Sequence, residues 1–208
     1  CVVVAHSCVL SWWQAVKGEA PPREWQPYAK RVAAGLQAAD AVVAPTGTML
    51  TMMEEIYGGM AGRAKTIWNG RDPRCYAPAE KEEFIFGAGR LWDEAKNLAV
   101  LQELAPSLPW PVVLAGSWQR PEGGGQHPAG VRLLGLIAAD EMAGWLSRAA
   151  VYALPARYEP FGLSILEAAL SGCALVLGDI PTLRELWQGA ALFVPPEDRS
   201  RLRAALDN

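Results

Sequence analysis

Two glutamates flank a predicted helix start, and their spacing suggests a site for a charged ligand. The stretch A-R-Y-E-P-F-G-L-S-I-L-E-A places Glu159 in an irregular segment and Glu167, eight positions later, inside a helical run. If Leu163 is the first helical residue, Glu167 lies about one turn, or roughly 6 Å, further along the helix. The free amides of Phe161, Gly162 and Leu163 lie between the two acids, and such a helix start attracts anions. The pattern predicts a diphosphate cradle with a hydroxyl-binding acid beside it.

Two cations follow the predicted strand that begins at Phe84. Arg90 lies at the carboxyl end of that strand, and Lys96 is predicted in the first turn of the next helix, with Asp93 as its cap. A cation in a first turn opposes the helix dipole, and a bound anion would relieve the conflict. The arginine fork and the lysine point charge together suit a pyrophosphate. The alternative is structural, with a solvated lysine and an arginine that pairs with Asp93 or Glu94.

A histidine ends the first apolar run of the chain. The residues C-V-V-V-A predict a buried parallel strand, and His6 follows at its carboxyl end. Ligands of open α/β sheets gather outside this end of the strands, which suggests a functional position for His6. A core or loop histidine that is hydrogen-bonded to the backbone is the alternative.

The string E-P-F-G-L-S-I-L-E-A resembles the Glu-x7-Glu signature of the retaining nucleotide-sugar glycosyltransferases of family 4, also called glycosyl transferases group 1. The segment H-S-C-V-L-S-W-W and the string N-G-R-D at 69–72 resemble the family's acceptor-side histidine and its domain crossing. The resemblance implies an α/β protein of GT-B type, with a Rossmann-like doubly wound parallel sheet and part of a second Rossmann-like domain. We expect residues 1–69 to be a partial N-terminal acceptor-side domain and residues 70–208 the C-terminal nucleotide-sugar donor-binding domain.

The resemblance also implies roles for individual residues. Glu167 would accept hydrogen bonds from the ribose, Glu159 would contact the transferred sugar, and the turn at 134–137 would lie against the base. His6 would meet the sugar from the acceptor side. The residues implied in catalysis are Glu159 and His6, and those implied in donor binding are Arg90, Lys96, Phe161, Gly162, Leu163, Glu167 and Ile137.

The predicted function is transfer of a sugar from a nucleotide-sugar donor to a sugar, lipid or small-molecule acceptor, with retention of anomeric configuration. The resemblance implies a hexosyltransferase-type enzyme whose leaving diphosphate assists a front-face substitution. A non-catalytic nucleotide-sugar binding fragment and a GT-B nucleotide-sugar epimerase are the alternatives. No Gly-x-Gly-x-x-Gly or Walker loop follows a predicted strand, which disfavours a dehydrogenase or a P-loop enzyme. No Asp-x-Asp motif is present either, so we expect neither a metal nor another cofactor.

Composition limits the partners and the location. Hydrophobic residues make up 51% of the chain and charged residues 20%, which indicates a globular protein. A net charge of -3 gives no basic stripe for nucleic acid. The four cysteines form no metal-site spacing, and 208 residues is too long for a small fold that depends on disulfides, so we expect reduced thiols in a cytoplasmic protein. There is neither a membrane-spanning run nor a secretory leader, although peripheral membrane contact through a missing N-terminal part is compatible with the sequence. Because the chain begins inside a predicted strand without Met, we expect a fragment that lacks its N-terminal start.

Strands and helices alternate along most of the chain, which predicts right-handed βαβ units. Residues 11–26, with Trp12 and Trp13, are predicted as a loop-rich rim. Thr46 or Thr48 is expected to cap a helix that ends at Tyr57. In the second part, strands are predicted from Phe84, Pro111, Val131, Ala150, Cys173 and Ala191, and helices near 94–105, 139–148, 163–171, 181–187 and 197–206.

Overall fold

The computed structural model describes residues 1–125 and 127–207, and within them the strands form two separate parallel sheets. The first sheet has the order β1-β2-β3, with Val3 beside Val42 and Val43 beside Lys65. Its strands are β1 (Val2–Val4), β2 (Ala41–Ala44) and β3 (Ala64–Thr66). The helices that accompany it are α1 (Val9–Lys17), α2 (Gln26–Ala38) and α3 (Gly47–Tyr57). We call residues 1–66 the N-terminal unit.

The second sheet has six parallel strands in the order β6-β5-β4-β7-β8-β9. Its strands are β4 (Glu82–Ala88), β5 (Val112–Ala115), β6 (Arg132–Gly135), β7 (Ala149–Leu154), β8 (Ala174–Gly178) and β9 (Leu192–Val194). The chain winds outward from β4 to β6 and then returns to β7 on the other side of β4. This reversal makes the sheet doubly wound and places its topological switch point between β4 and β7. We call residues 82–125 and 127–207 the C-terminal unit.

Four helices connect the strands of the C-terminal unit in its described part, and a fifth follows β9. They are α4 (Ala99–Leu104), α5 (Ala139–Arg148), α6 (Leu163–Leu170), α7 (Pro181–Trp187) and α8 (Arg199–Leu206). Residues 67–81, here called the connecting segment, join the two units and contain a short 3-10 turn at Pro73–Cys75. The parallel α/β architecture confirms the predicted fold class, while the domain boundary near Asn69 stays a prediction.

The core of the C-terminal unit lies around its central strands. Phe86 on β4, Leu114 on β5, Tyr152 on β7 and Leu177 on β8 are all fully buried. Central strands of a parallel sheet are covered on both faces, which is why these segments are apolar runs rather than alternating ones. No helix in the described residues is long and apolar enough to cross a membrane. Each of the four cysteines is a free thiol.

The loop-rich rim predicted for residues 11–26 is wrong in its first half, because α1 extends to Lys17. The Sγ of Cys8 accepts a hydrogen bond from the Ser11 amide at 3.3 Å, and Gly18 ends the helix in the left-handed conformation. The indoles form a row in which Trp13 lies 6.1 Å from Trp12 and 6.5 Å from Trp25 between ring centroids. Packing among the tryptophans therefore accompanies a helix, where the sequence suggested a loop.

The helix predicted from residue 94 begins only at Ala99. The Oδ1 of Asp93 accepts a hydrogen bond from the Ala95 amide at 3.0 Å, which stabilises a turn. Asn97 then adopts a φ of 55°, which is incompatible with a continuous right-handed helix. Its side-chain amide donates to the carbonyls of Pro155 and Pro196, each at 2.9 Å. These two bonds explain why this asparagine holds the left-handed conformation.

Hydrogen bonds at the start of α3 help to fix the units to each other. Thr46 is fully buried, and its hydroxyl caps α3 by accepting from the Met49 amide at 3.1 Å. The same hydroxyl donates to the Pro160 carbonyl of the C-terminal unit at 3.2 Å. The predicted capping role of Thr46 is therefore confirmed, together with a contact between the units.

A carboxylate of the C-terminal unit also binds the first turn of α3. Glu185 on α7 accepts from the amides of Gly47 and Thr48 at 2.8 and 2.7 Å, and from the Thr48 hydroxyl at 2.6 Å. Burial favours protonation of this carboxyl, but the hydrogen bonds from Thr48 and Gly47 outweigh it and lower the pKa of Glu185. The negative charge also complements the positive end of the α3 dipole.

Glu185→Ala should lower the free energy of unfolding by about 1 kcal/mol, as expected when a helix-capping carboxylate is lost. Because the folded-state pKa of Glu185 is lowered, this contribution should be complete at neutral pH and should disappear as the pH falls through the carboxyl range. Urea unfolding at neutral and acidic pH measures both effects. Glu103→Ala is the control, since Glu103 makes an exposed pair with Arg199. Equal losses for the two variants would contradict the capping role.

Candidate functional site

A cavity of about 440 Å³ lies at the switch point, outside the carboxyl ends of β4 and β7. This is where ligands of open α/β sheets bind. A larger cavity of about 540 Å³ lies beside the turn after β4 and contains none of the predicted site residues. Seven of the nine predicted residues line the smaller cavity, namely His6, Arg90, Lys96, Glu159, Phe161, Gly162 and Leu163.

An ion pair between Lys96 and Glu159 joins the two loops that form the cavity. Lys96 lies in the turn before Asn97 and not in the first turn of a helix, so the predicted conflict with a helix dipole does not arise. Both side chains are largely buried, with exposures of 18% and 11%. The Ala95 carbonyl accepts from the amides of Arg157 and Tyr158 at 2.8 and 3.3 Å, which holds the loops in register.

Arg90 reaches the cavity as predicted but is held by an acid of its own loop. Its Nη2 and Nε donate to the Oδ2 of Asp93 at 2.6 and 3.1 Å, and its guanidinium lies 5.5 Å from the centre of the Trp92 ring. This is the structural alternative that the sequence left open. The side chain of Arg90 nevertheless remains 61% exposed, so the guanidinium keeps donors free for a ligand in the cavity.

The start of α6 lines the cavity together with the two cations. The helix begins at Leu163 as predicted, and Gly162 precedes it with a φ of 85°. A Cβ at Gly162 would lie 2.5 Å from the Cδ1 of Ile165, so this position requires glycine. The Phe161 amide donates to the Oε1 of Glu159 at 3.3 Å. Of the three amides predicted to bind an anion, that of Phe161 already has a carboxylate partner.

Ile137 lies in a neighbouring cavity of about 270 Å³ that also includes Gly89, Arg90 and Gly116. Gly89 and Arg90 line both cavities, so the two spaces adjoin along the loop after β4. Gly116 keeps this region compact, because a Cβ there would lie 1.7 Å from the Gly89 carbonyl oxygen. An elongated ligand can therefore extend from the start of α6 past Arg90 towards Ile137.

Glu167 differs from the other predicted residues because it lines neither the cavity at the switch point nor the adjoining cavity that includes Ile137. Its Oε1 accepts from the Nε of Arg71 at 2.5 Å, and its side chain is only 11% exposed. Burial, followed by the charge of Glu167 and a hydrogen bond to it, raises the pKa of Tyr76. The carboxylate is therefore covered by two side chains of the connecting segment.

Sequence similarity identifies the larger part of the chain. The sequence model of the family described as glycosyl transferases group 1 matches residues 82–208, more than half of the 208 residues. The chain belongs to this family. The match begins at the first residue of β4 and covers the loops that carry the cations and α6. No curated protein matches the chain in sequence.

Solved structures extend the fold similarity of this group 1 protein to almost its whole length. Sucrose-phosphate synthase from Thermosynechococcus elongatus superposes with a TM-score of 0.79 at 22% identity, over 98% of this chain and 57% of that one. Anabaena Alr3699/HepE in complex with UDP-glucose gives 0.79 at 18% identity, over 99% and 61%. WaaG, a glycosyltransferase involved in lipopolysaccharide biosynthesis, gives 0.78 at 13% identity, over 99% and 64%. The predicted GT-B fold is confirmed, and the chain spans less than two thirds of each of these proteins.

Sequence inspection missed four residues that shape the site of the group 1 protein. Arg71 was part of the N-G-R-D string, but nothing in the string pointed to Glu167. Tyr76 carried no signal at all. Asn97 followed Lys96 inside a predicted helix, and only its left-handed propensity could have indicated a break. Gly116 could have been found, because β4, β5 and β6 each end at or next to a glycine of positive φ.

Lys96→Met should lower the free energy of unfolding by about 2 kcal/mol, because it leaves the largely buried Glu159 carboxylate without its cation. The double variant Lys96→Met/Glu159→Gln should lose less than the sum of the single changes, with a coupling of about 1 kcal/mol or more. Urea unfolding of the four proteins measures this coupling.

The control cycle uses Arg148 and Glu82, an exposed pair 2.8 Å apart. Such a pair should give a coupling of about 0.5 kcal/mol or less. A Lys96–Glu159 coupling no larger than that of the control pair would show that burial adds nothing to this interaction.

Proposed function

We propose that this group 1 protein transfers a sugar from a nucleotide-sugar donor to an acceptor with retention of anomeric configuration. The observation that carries the proposal is the convergence of two cations, a carboxylate and a helix start on one cavity at the switch point. Arg90 and Lys96 come from the loop after β4, and Glu159 to Gly162 come from the loop after β7, which leads into α6 at Leu163. The two cations and the helix start offer complementary charge to a diphosphate.

In this proposal the cations change partners when the donor binds. The Lys96 ammonium shares its charge with Glu159, and the Arg90 guanidinium shares its charge with Asp93. A donor diphosphate brings two further negative charges into the same cavity and can compete for both cations. As the bond between the sugar and the diphosphate breaks, charge accumulates on the leaving phosphate. Fixed cations and helix amides stabilise that charge in the transition state.

The remaining groups of the donor follow from the adjoining cavities. Glu159 would contact the transferred sugar, because its carboxylate lies in the cavity between Lys96 and the Phe161 amide. The nucleoside would extend past Arg90 towards Ile137, with Glu167 assigned to the ribose hydroxyls. His6 would meet the sugar from the N-terminal unit. The Anabaena neighbour was solved with UDP-glucose, which favours a UDP-sugar as the donor.

Retention is proposed to follow a front-face substitution. The acceptor hydroxyl attacks the anomeric carbon on the face from which the nucleoside diphosphate leaves, and the hydroxyl proton passes to a leaving phosphate oxygen. The positions of the acids support this scheme over a two-carboxylate hydrolase. Glu159 faces the cavity whereas Glu167 is covered by Arg71, so the two do not flank one glycosidic bond.

Donor binding is the first part of the proposal to test, because the chain spans 57% to 64% of the three neighbours described above. Lys96→Ala should weaken binding of the nucleoside diphosphate about tenfold or more, since it removes a charge-assisted hydrogen bond to phosphate. Calorimetric titration with UDP, GDP and ADP measures the affinity and selects the base. Lys30→Ala is the control, because Lys30 lies exposed on α2. Equal affinities in the two variants would remove Lys96 from the donor site.

Product analysis separates transfer from the other functions that this site could support. Incubation of the UDP-sugar with a panel of sugar, lipid and small-molecule acceptors should give a glycoside whose anomeric proton coupling matches that of the donor. A new nucleotide sugar formed without acceptor would instead indicate an epimerase. Donor binding without turnover under any condition would favour a binding protein.

We propose that transfer needs no bound metal, because Arg90 and Lys96 supply the positive charge that a divalent cation would otherwise contribute. Excess EDTA should therefore leave the rate of transfer within about twofold of the untreated rate. Loss of activity with EDTA and recovery with magnesium would contradict this part of the proposal. The four free thiols support the further proposal of a reducing, cytoplasmic location.

A further inference from the structure

The ion pair between Arg71 and Glu167 connects the segment that joins the two units to the proposed nucleoside site. Arg71 belongs to the connecting segment, and Glu167 lies in the middle of α6. The Nε of Arg71 donates to the Oε1 of Glu167 at 2.5 Å. The guanidinium is 36% exposed, whereas the carboxylate is 11% exposed, so the arginine forms the outer cover. The bond to Glu167 raises the pKa of Arg71 further above its already high value.

Glu167 lies one helical turn below the cavity wall. Ser164 lines the cavity, and residues three apart on a helix share a face. Asn69, two residues before Arg71, lines the same cavity. The connecting segment therefore runs along the edge of the cavity and then crosses over the Glu167 carboxylate. A ligand that extends down this face of α6 meets Arg71 first.

A largely buried carboxylate needs hydrogen-bond donors, and two kinds of donor could serve Glu167. The guanidinium of Arg71 supplies a charged donor from the protein, and ribose hydroxyls would supply neutral donors from a nucleotide. This step rests on the function proposed above, which assigns the ribose to Glu167. The oxygen that accepts from Arg71 cannot also accept along the same direction from a ribose. We propose that Arg71 competes with the donor ribose for Glu167.

Competition has a consequence for the connecting segment. In this proposal the ribose takes the place of the guanidinium, so nucleotide binding breaks the Arg71 bond. The measured affinity is then the intrinsic affinity multiplied by the fraction of molecules in which the pair is open. The energy of the ribose contact is then partly used to free residues 69–76, which join the N-terminal unit to the C-terminal unit. In this way Arg71 sets the donor affinity and couples donor binding to the connecting segment.

Calorimetric titration of wild type and Arg71→Ala with UDP and 2′,3′-dideoxy-UDP tests the competition. The affinity of Arg71→Ala for UDP should rise about fivefold or more, because the closed state is lost. Its affinity for the dideoxy nucleotide should stay at the wild-type value, because that ligand has no hydroxyl for Glu167. If the wild type prefers GDP or ADP, the corresponding ribose and dideoxy pair is used.

Arg74→Ala is the matched control. Arg74 lies three residues away in the same segment, and its side chain bonds to the exposed Asp72 instead of Glu167. Its UDP affinity should equal that of the wild type. Arg71→Lys keeps the charge but not the Nε donor, and it should give an intermediate affinity if the altered protein folds as the wild type does. Thermal unfolding of each variant checks the fold.

Hydrogen exchange in the wild-type protein gives a second measurement without any substitution. Saturating UDP should speed amide exchange in residues 69–76 while slowing it around α6. Unchanged or weaker UDP binding by Arg71→Ala, an equal gain for the dideoxy nucleotide, or slower exchange in residues 69–76 would overturn the competition. Failure of the wild type to bind any nucleoside diphosphate would overturn the proposed function itself, which is a distinguishable result.

Discussion

The loop after β7 depends on the ion pair between Lys96 and Glu159, and the cavity depends on that loop. The pair joins the loops on the two sides of the switch point, and it adds a side-chain contact to the backbone bonds that Arg157 and Tyr158 donate to the Ala95 carbonyl. Tyr158, next to Glu159, extends the same loop into the N-terminal unit. Its hydroxyl accepts from the Cys8 amide at 3.1 Å and lies 2.9 Å from the Ser11 hydroxyl. The candidate site is therefore bonded on both sides through adjacent residues of one loop.

The charges of the site are neutralised within the protein. Lys96 pairs with Glu159, Arg90 with Asp93, and Glu167 with Arg71. The first pair joins two loops, the second lies within one turn and the third joins the connecting segment to α6, so each charge is held in place by a protein partner. When a ligand replaces the protein partner of one of these charges, the charged side chain needs to move little. Such preorganisation is the condition for effective electrostatic stabilisation. Because of the same pairing, every charged group of the donor must compete with a protein side chain for its binding partner.

The sheet of the C-terminal unit was predictable because its strands are apolar runs bounded by glycine and proline. Such a pattern is visible in the local sequence. The convergence of Arg90, Lys96 and Glu159 to Leu163 was also predictable, since parallel strands end at one edge of their sheet. The pairing of charges was not, because Lys96 and Glu159 are 63 positions apart, and Arg71 and Glu167 are 96 apart. Helix α1 was not predicted, because its paired tryptophans also fit a loop-rich rim. The start of α4 was misplaced because Asn97 is fixed by the distant carbonyls of Pro155 and Pro196.

The single proton of the Thr46 hydroxyl is donated to the Pro160 carbonyl. A lone pair of the same oxygen accepts from the Met49 amide and so caps α3. A single atom thus serves as acceptor for one unit and as donor to the other. Any movement of the units that separates Thr46 from Pro160 leaves a carbonyl beside Glu159 without its donor, unless water enters a fully buried position. At position 46, serine would be the closest chemical equivalent of threonine. Valine has a similar shape but would leave both the Pro160 carbonyl and the Met49 amide without a hydrogen bond. The distance between the units is therefore set, at this point, by the length of a hydrogen bond.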